Sequence, residues 1–174
     1  MALTAVQPRT STVHRVTPTD AARMRALRLE MLADSPLAFL ETLAQAAARS
    51  HEDYRRRIVQ ASTGRGLAQF VADPGGRLIG HAGGTVMPEE PGVTVVFAVY
   101  VTPRHRGTGV LDDLVEAVAA WSRSVGRPNL MLEVVVGNGR AVRAYERLGF
   151  TDTGVRVPHP VIPGLTELQM RRAA

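Results

Sequence analysis

The chain has 174 residues, 45% of them apolar, and a formal net charge of +5 in which every fixed cation is Arg, because no Lys occurs. That length and composition suit one domain with a sizeable core, and no uninterrupted apolar run reaches membrane-spanning length. With no cysteine, disulfides, thiolate metal sites and cysteine nucleophiles are excluded, and a cytoplasmic setting is natural.

Residues 1–12 are polar, lack a signal-peptide pattern, and read as a flexible leader before one domain over 13–174. Residues 13–16 form a short strand. Thr17-Pro18-Thr19-Asp20 then supplies a helix start, and the helix runs to about Ala33 with Met24, Leu27, Met31 and Leu32 on one face. Ser35-Pro36 breaks it. A second helical region starts near Leu40 and carries Leu43, Ala44 and Ala47; a third, over 51–61, turns Tyr54 and Ile58 inward. Its Arg55-Arg56-Arg57 run is a solvated face. Residues 67–72 form a strand, Asp73-Pro74-Gly75-Gly76 a turn, and 77–87 the returning arm of a hairpin. Gly80, Gly83 and Gly84 within that arm predict a bulge or the close approach of another backbone. Residues 94–101 are almost wholly apolar, which predicts a central strand buried on both faces.

From residue 99 the pattern is strand, short basic glycine-bearing loop, helix. Leu111, Leu114, Val115, Val118 and Val125 recur at helical spacing, and Gly126-Arg127-Pro128 stops the helix. A strand over 130–136, a helix to Leu148, and two strands over 150–157 and 165–170 complete the chain. Alternation of strand and helix implies parallel pairing through a helical crossover, hence an α/β fold. A loop entering a helix N-terminus presents backbone N–H groups to an anion; an ordinary junction, with Gly107 and Gly109 merely permitting the turn, has the same sequence.

Arg106-Gly107-Thr108-Gly109-Val110-Leu111 resembles motif A of the GNAT acetyltransferase superfamily: Arg or Gln, two residues, Gly, one residue, then Gly or Ala. Leu111 departs from it at the last position. Downstream, Asn138, Tyr145 and Gly149-Phe150 resemble motif B, an Asn, a short Tyr-bearing helix, then Gly-Phe. The segment from Asp34 to Phe39 and the closing strand over 166–170 also look like members, so nearly the whole chain is covered. The resemblance implies the GNAT acyl-CoA N-acyltransferase fold. This is a mixed, mostly antiparallel sheet with flanking helices and a central parallel pair that splays to admit pantetheine.

The resemblance also implies acetyl-CoA as acyl-donor co-substrate. Arg106, Gly107, Thr108, Gly109, Val110 and Leu111 would hold the pyrophosphate, mainly by backbone N–H groups. Val99, Tyr100 and Val101 would pair with the pantetheine amides, and Asn138 would contact the cofactor or cap its helix. Tyr145 would stand beside the thioester sulfur as general acid; read from its helical stripe alone, it is a core residue. The base stays open. No acidic residue lies in 93–101, which leaves Glu133 (with a carboxyl raised by desolvation), Glu41, His81 and a water chain. The implied activity moves an acetyl group to a primary amine, directly within a ternary complex because cysteine is absent. The alternative is a non-catalytic acyl-CoA sensor or partner subunit. The acceptor pocket would be built from 35–41 and 157–165. The five histidines form no ligand pair at helical spacing, so no metal is expected. Dispersed Arg and 5% aromatics argue against nucleic acid; no membrane partner is expected, and a homodimer stays open.

Overall fold

The computed structural model describes residues 11–174. In chain order the elements are β1 (Thr12–Arg15), α1 (Ala21–Asp34), α2 (Leu43–Ala48), α3 (His51–Ser62), β2 (Leu67–Asp73), β3 (Gly80–Met87), β4 (Glu90–Val101), α4 (Val110–Ser124), β5 (Asn129–Val135), α5 (Gly139–Arg147), β6 (Thr151–Pro158) and β7 (Thr166–Ala173). Of the expected leader, residues 1–10 lie outside the described residues, while Thr12 already belongs to β1 and pairs with Asp73. The strands form one sheet in the order β1-β2-β3-β4-β5-β7-β6. Every neighbouring pair is antiparallel except β4 and β5. The expected mixed, mostly antiparallel sheet with a central parallel pair is therefore the one present.

Local chemistry sets the helix boundaries. Thr17 N donates to Asp20 Oδ2 at 2.8 Å, which caps a 3₁₀ turn over Pro18–Asp20 ahead of α1. The second helix starts at Leu43 rather than near Leu40, because Thr42 and Gln45 form a reciprocal capping box there. Ser50 Oγ accepts from Asp53 N to open α3, whose Tyr54 and Ile58 are buried as the spacing predicts.

The two helical layers cover opposite faces. Leu114, Val115, Val118 and Ala119 of α4 are fully buried against β2–β5, while α1 and α3 cover the other face through Leu27, Met31, Leu32 and Ile58. Backbone approaches one β3 glycine as expected, a Cβ at Gly80 standing 3.1 Å from Tyr100 O, but side chains come closer to all three. A Cβ at Gly80 would stand 2.8 Å from Leu114 Cδ1, one at Gly84 2.9 Å from the Trp121 ring, and one at Gly83 2.4 Å from the Phe97 ring. Side chains press on this strand, and a bulge accompanies them between His81 and Gly83. Among the described residues no helix is long and apolar enough to cross a membrane.

A buried polar knot fastens the start of the parallel pair. Thr94 Oγ1 lies 2.7 Å from Ser122 Oγ, and Arg127 Nε donates to Thr94 Oγ1 at 2.9 Å. The Arg127 guanidinium also covers the Trp121 ring at 4.7 Å. The knot therefore ties β4 to α4 and to the turn leading into β5, at the end where the two strands pair.

Candidate functional site

Beyond that knot β4 and β5 part. They pair only at Val93–Asn129, Thr94–Leu130 and Val95–Met131, yet β4 continues to Val101 and β5 to Val135. Past the last pair the two facing edges have no strand neighbour, and backbone polar groups left so need another partner. Between them lies a cavity of about 340 Å³. This opening also corrects the expectation of a strand buried on both faces: Phe97, Ala98 and Val99 are only half-buried, because they line the gap.

The basic glycine loop closes the C-terminal end of β4, where ligands of open α/β sheets are held. Gly107 and Gly109 both have left-handed backbones, φ 76° and 89°. A Cβ at Gly107 would meet nothing within 4 Å, so its backbone angle, not space, favours glycine. Gly109 caps α4, and the first intrahelical bond runs from Asp113 N to Gly109 O. The N–H groups of Val110, Leu111 and Asp112 thus have no intrahelical acceptor, as at any helix start. The Leu111 side chain packs against the core with the α4 stripe, and its backbone stays at the loop. The Arg106 side chain is taken up by protein partners. Its Nη2 donates to Asp34 Oδ2 at 2.5 Å and its Nε to Val101 O at 3.0 Å, so it fastens α1 to the loop. Thr108 Oγ1 donates to His105 O at 2.5 Å and stiffens the turn.

The strand leading in divides its side chains. Val99 and Val101 turn to the α4 cluster and Tyr100 to the α1 cluster. Burial, with Asp34 and Glu30 nearby, pushes the Tyr100 hydroxyl up to about 12.

The far wall is α5. Asn138 caps it by accepting from Ala141 N at 3.2 Å and also lines the cleft. Tyr145 stands edge-on to the buried Phe150, ring centroids 5.8 Å apart, and faces the cavity. Burial in apolar surroundings raises its hydroxyl well above the ordinary phenol value. Arg140, Arg143 and Arg147 recur along the same helix and line the cleft mouth. Their helical spacing is plain in the sequence, but neither motif includes them.

The carboxylates sort differently from expectation. Glu133 lines the cleft but is exposed rather than buried. Glu41 is not among the cleft residues. It is clamped by Arg28 and Arg49, and although burial alone would raise its carboxyl, the two guanidiniums hold it below the ordinary range. The buried carboxylate of the cleft is Glu167 on β7, only 8% exposed. Burial raises its carboxyl; His159 works against the rise and the nearby Glu133 adds to it. Nothing in the sequence marked it beyond one acidic position in an otherwise core-forming strand.

His81 has a structural task. Its buried ring donates from Nδ1 to Ala98 O at 2.7 Å, and burial lowers its imidazole to about 4, so it is neutral. Ala98 is the one described non-glycine residue with positive φ, 49°. That conformation costs about 1–2 kcal/mol, and the His81 hydrogen bond holds it at the wall of the cleft.

Away from the cleft, His14, Asp20 and Asp73 come together in the fold. Arg23 lies 2.6 Å from Asp20 and 2.8 Å from Asp73, and it neutralises both. Of the expected acceptor segments, Ser35, Ala38 and Phe39 reach the cleft, whereas residues 157–165 supply none of its walls.

Both the sequence and the fold of this chain have known relatives. A family model described as Acetyltransferase (GNAT) family matches residues 30–150. The chain is 30% identical over 131 residues to the mouse protein named Probable N-acetyltransferase family 8 member 5, covering 74% of this chain and 55% of that one. It thus spans about half the length of that relative. By structure it resembles a GNAT-family acetyltransferase from Streptococcus pneumoniae (TM-score 0.78, 17% identity, 94% of this chain and 98% of that one). It also resembles YncA from Salmonella typhimurium, solved with its cofactor acetyl-CoA (TM-score 0.74, 18% identity, 94% and 93%). With the family model matching well over half its length, the chain belongs to the GNAT acetyltransferase family.

Proposed function

We propose that this protein moves an acetyl group from acetyl-CoA to a primary amine, directly, within a complex that holds both substrates. The observation that carries the proposal is the splay of β4 from β5 above Val95–Met131. Two open strand edges suit a donor with an extended amide-bearing arm. At their end the N–H groups of α4 suit its pyrophosphate, and Arg140, Arg143 and Arg147 supply further charge for its phosphates.

Each side chain then has a task. Gly107 and Gly109 shape the loop, and Arg106 braces it through Asp34. His81 holds the Ala98 turn in the wall. Tyr145 offers an O–H to the sulfur that leaves, and it stays protonated because burial raises it. Holding donor and amine together in the gap supplies much of the acceleration by itself. The chain contains no cysteine to carry a covalent acetyl group.

Initial rates measured at varied acetyl-CoA and varied amine test this reading. Direct transfer gives intersecting reciprocal lines. Parallel lines, or an acetylated protein that passes its acetyl group on, contradict direct transfer. Tight CoA binding without turnover across a broad amine panel contradicts the enzyme reading and leaves an acyl-CoA sensor.

A further inference from the structure

The base that takes the acceptor's proton is the missing part, and three facts about β7 bear on it. Antiparallel pairing sets Glu167 opposite Val135 and Gln169 opposite Glu133. Side chains two apart on a strand share a face, so Glu133 and Glu167 are diagonal neighbours on one face of the sheet. The alternate residues Leu132 and Val134 enter the α4 core. The two carboxylates therefore lie on the opposite face, toward the turn after α1 that supplies Ser35, Ala38 and Phe39 to the cleft.

Glu167 is the buried member of the pair, and it has a second neighbour. His159, in the loop between β6 and β7, is buried, and its Nδ1 accepts from Val161 N at 3.2 Å and Ile162 N at 2.9 Å. With Nδ1 an acceptor, the ring proton sits on Nε2. That N–H has no hydrogen-bond partner among the described residues and lies 4.0 Å from Glu167 Oε1. The loop's own backbone thus fixes the tautomer and turns a donor toward Glu167 without neutralising it.

We propose that Glu167, buried beside the His159 ring, takes the proton from the acceptor ammonium. This rests on the acetyltransferase reading above. An ammonium has no lone pair, so it first gives one proton to Glu167, which passes it to water. The freed nitrogen lone pair forms the new C–N bond, and the C–S bond breaks with its electron pair going to sulfur. The second nitrogen proton is lost to water as the amide forms, and sulfur, its developing charge met by the Tyr145 hydroxyl, gains one from water. The sum is one ammonium and one thioester giving one amide, one thiol and one released proton. The titratable groups that face Glu167 are His159 from the β6–β7 loop, which opposes the rise of its carboxyl, and Glu133 from β5, which adds to it, and burial is the larger influence. Burial favours its protonated form, so it is a stronger base than an exposed glutamate.

The test compares wild type with Glu167→Gln, using acetyl-CoA and two small nucleophiles that enter any acceptor pocket. Methylamine is almost all ammonium at neutral pH, and hydroxylamine is almost all free base. The expected result is a fall of about 10²–10⁴ in the methylamine rate with only a few-fold change for hydroxylamine. In addition, the acid limb of the wild-type pH–rate profile disappears in the variant. Gln matches Glu in size and spares the cost of burying a charge, so folding is retained; Glu167→Asp, which keeps the carboxylate, restores part of the methylamine rate. Equal losses with both nucleophiles make Glu167 structural and overturn the proposal. Equal rates in wild type and variant overturn it too, while leaving the transferase reading intact. A wild type that binds acetyl-CoA by calorimetry but transfers to neither nucleophile overturns both.

Discussion

Replacing Tyr145 with Phe removes one oxygen and little else. No protein group among the described residues hydrogen-bonds the hydroxyl, so its loss leaves no orphaned partner. The ring keeps its edge-on contact with Phe150 at 5.8 Å. Stability should therefore change by less than about 0.5 kcal/mol, and acetyl-CoA affinity should stay within about twofold, or about 0.4 kcal/mol. The effect belongs to turnover. A positioned acid contributes about 10²–10⁴ in rate, equal to about 2.7–5.4 kcal/mol of barrier. Tyr145 should fall at the low end. Burial raises its hydroxyl, so full proton transfer to a thiolate, the weaker base, is uphill. The help comes mainly from a hydrogen bond to charge developing on sulfur. The expected loss is thus about 10²-fold in kcat, read by thiol release from about pH 6 to about pH 9, where the tyrosine stays protonated. A variant that turns over at the wild-type rate throughout that range refutes the reasoning and makes Tyr145 a packing residue.

Two further outcomes follow from charge placement. Asp112 is exposed in the first turn of α4, where it favours the helix by about 0.3–1 kcal/mol but opposes an anion at the same N–H groups. Asp112→Asn should tighten CoA binding a few-fold at low salt and hardly at all at high salt, measured by calorimetry; no tightening at low salt removes the anion from this helix end. Asp20 is buried, and the Thr17 N–H, Arg23 and His14 together outweigh burial and hold its carboxyl below the ordinary range. A carboxyl lowered in the folded state contributes stability that is complete above its unfolded value, about 3.9, and is lost as pH falls through the folded one. Urea unfolding should show stability declining below about pH 5, less steeply in Asp20→Asn; parallel declines would exonerate this group.

The fold was legible in the sequence where local chemistry decides it. Helical spacing gave the buried stripe of Leu114, Val115 and Val118, and Thr17-Pro18-Thr19-Asp20 marked a helix entry that the structure opens with a 3₁₀ turn. The glycine loop could be read because φ 76° at Gly107 and 89° at Gly109 suit no other residue as well. What was not legible depends on partners far along the chain. The motif gives no hint that the Arg106 side chain is held by Asp34, 72 residues earlier. Glu41 looks free until Arg28 and Arg49 close on it. Glu133 and Glu167 look alike as lone acids in apolar strands. Only the insertion of β7 between β5 and β6 buries one and leaves the other in water. The glycines of β3 signalled crowding correctly, but their spacing could not say that the rings of Phe97 and Trp121 cause it.

The central claim is that the gap between β4 and β5 passes an acetyl group to an amine. It is tested most directly by incubating the protein with acetyl-CoA and a primary amine and measuring acetylated amine by mass alongside thiol released. One acetylated amine is expected for each thiol, with thiol release depending on the amine. Thiol release that is independent of the amine and yields only acetate, or bound acetyl-CoA that is never consumed, would contradict it.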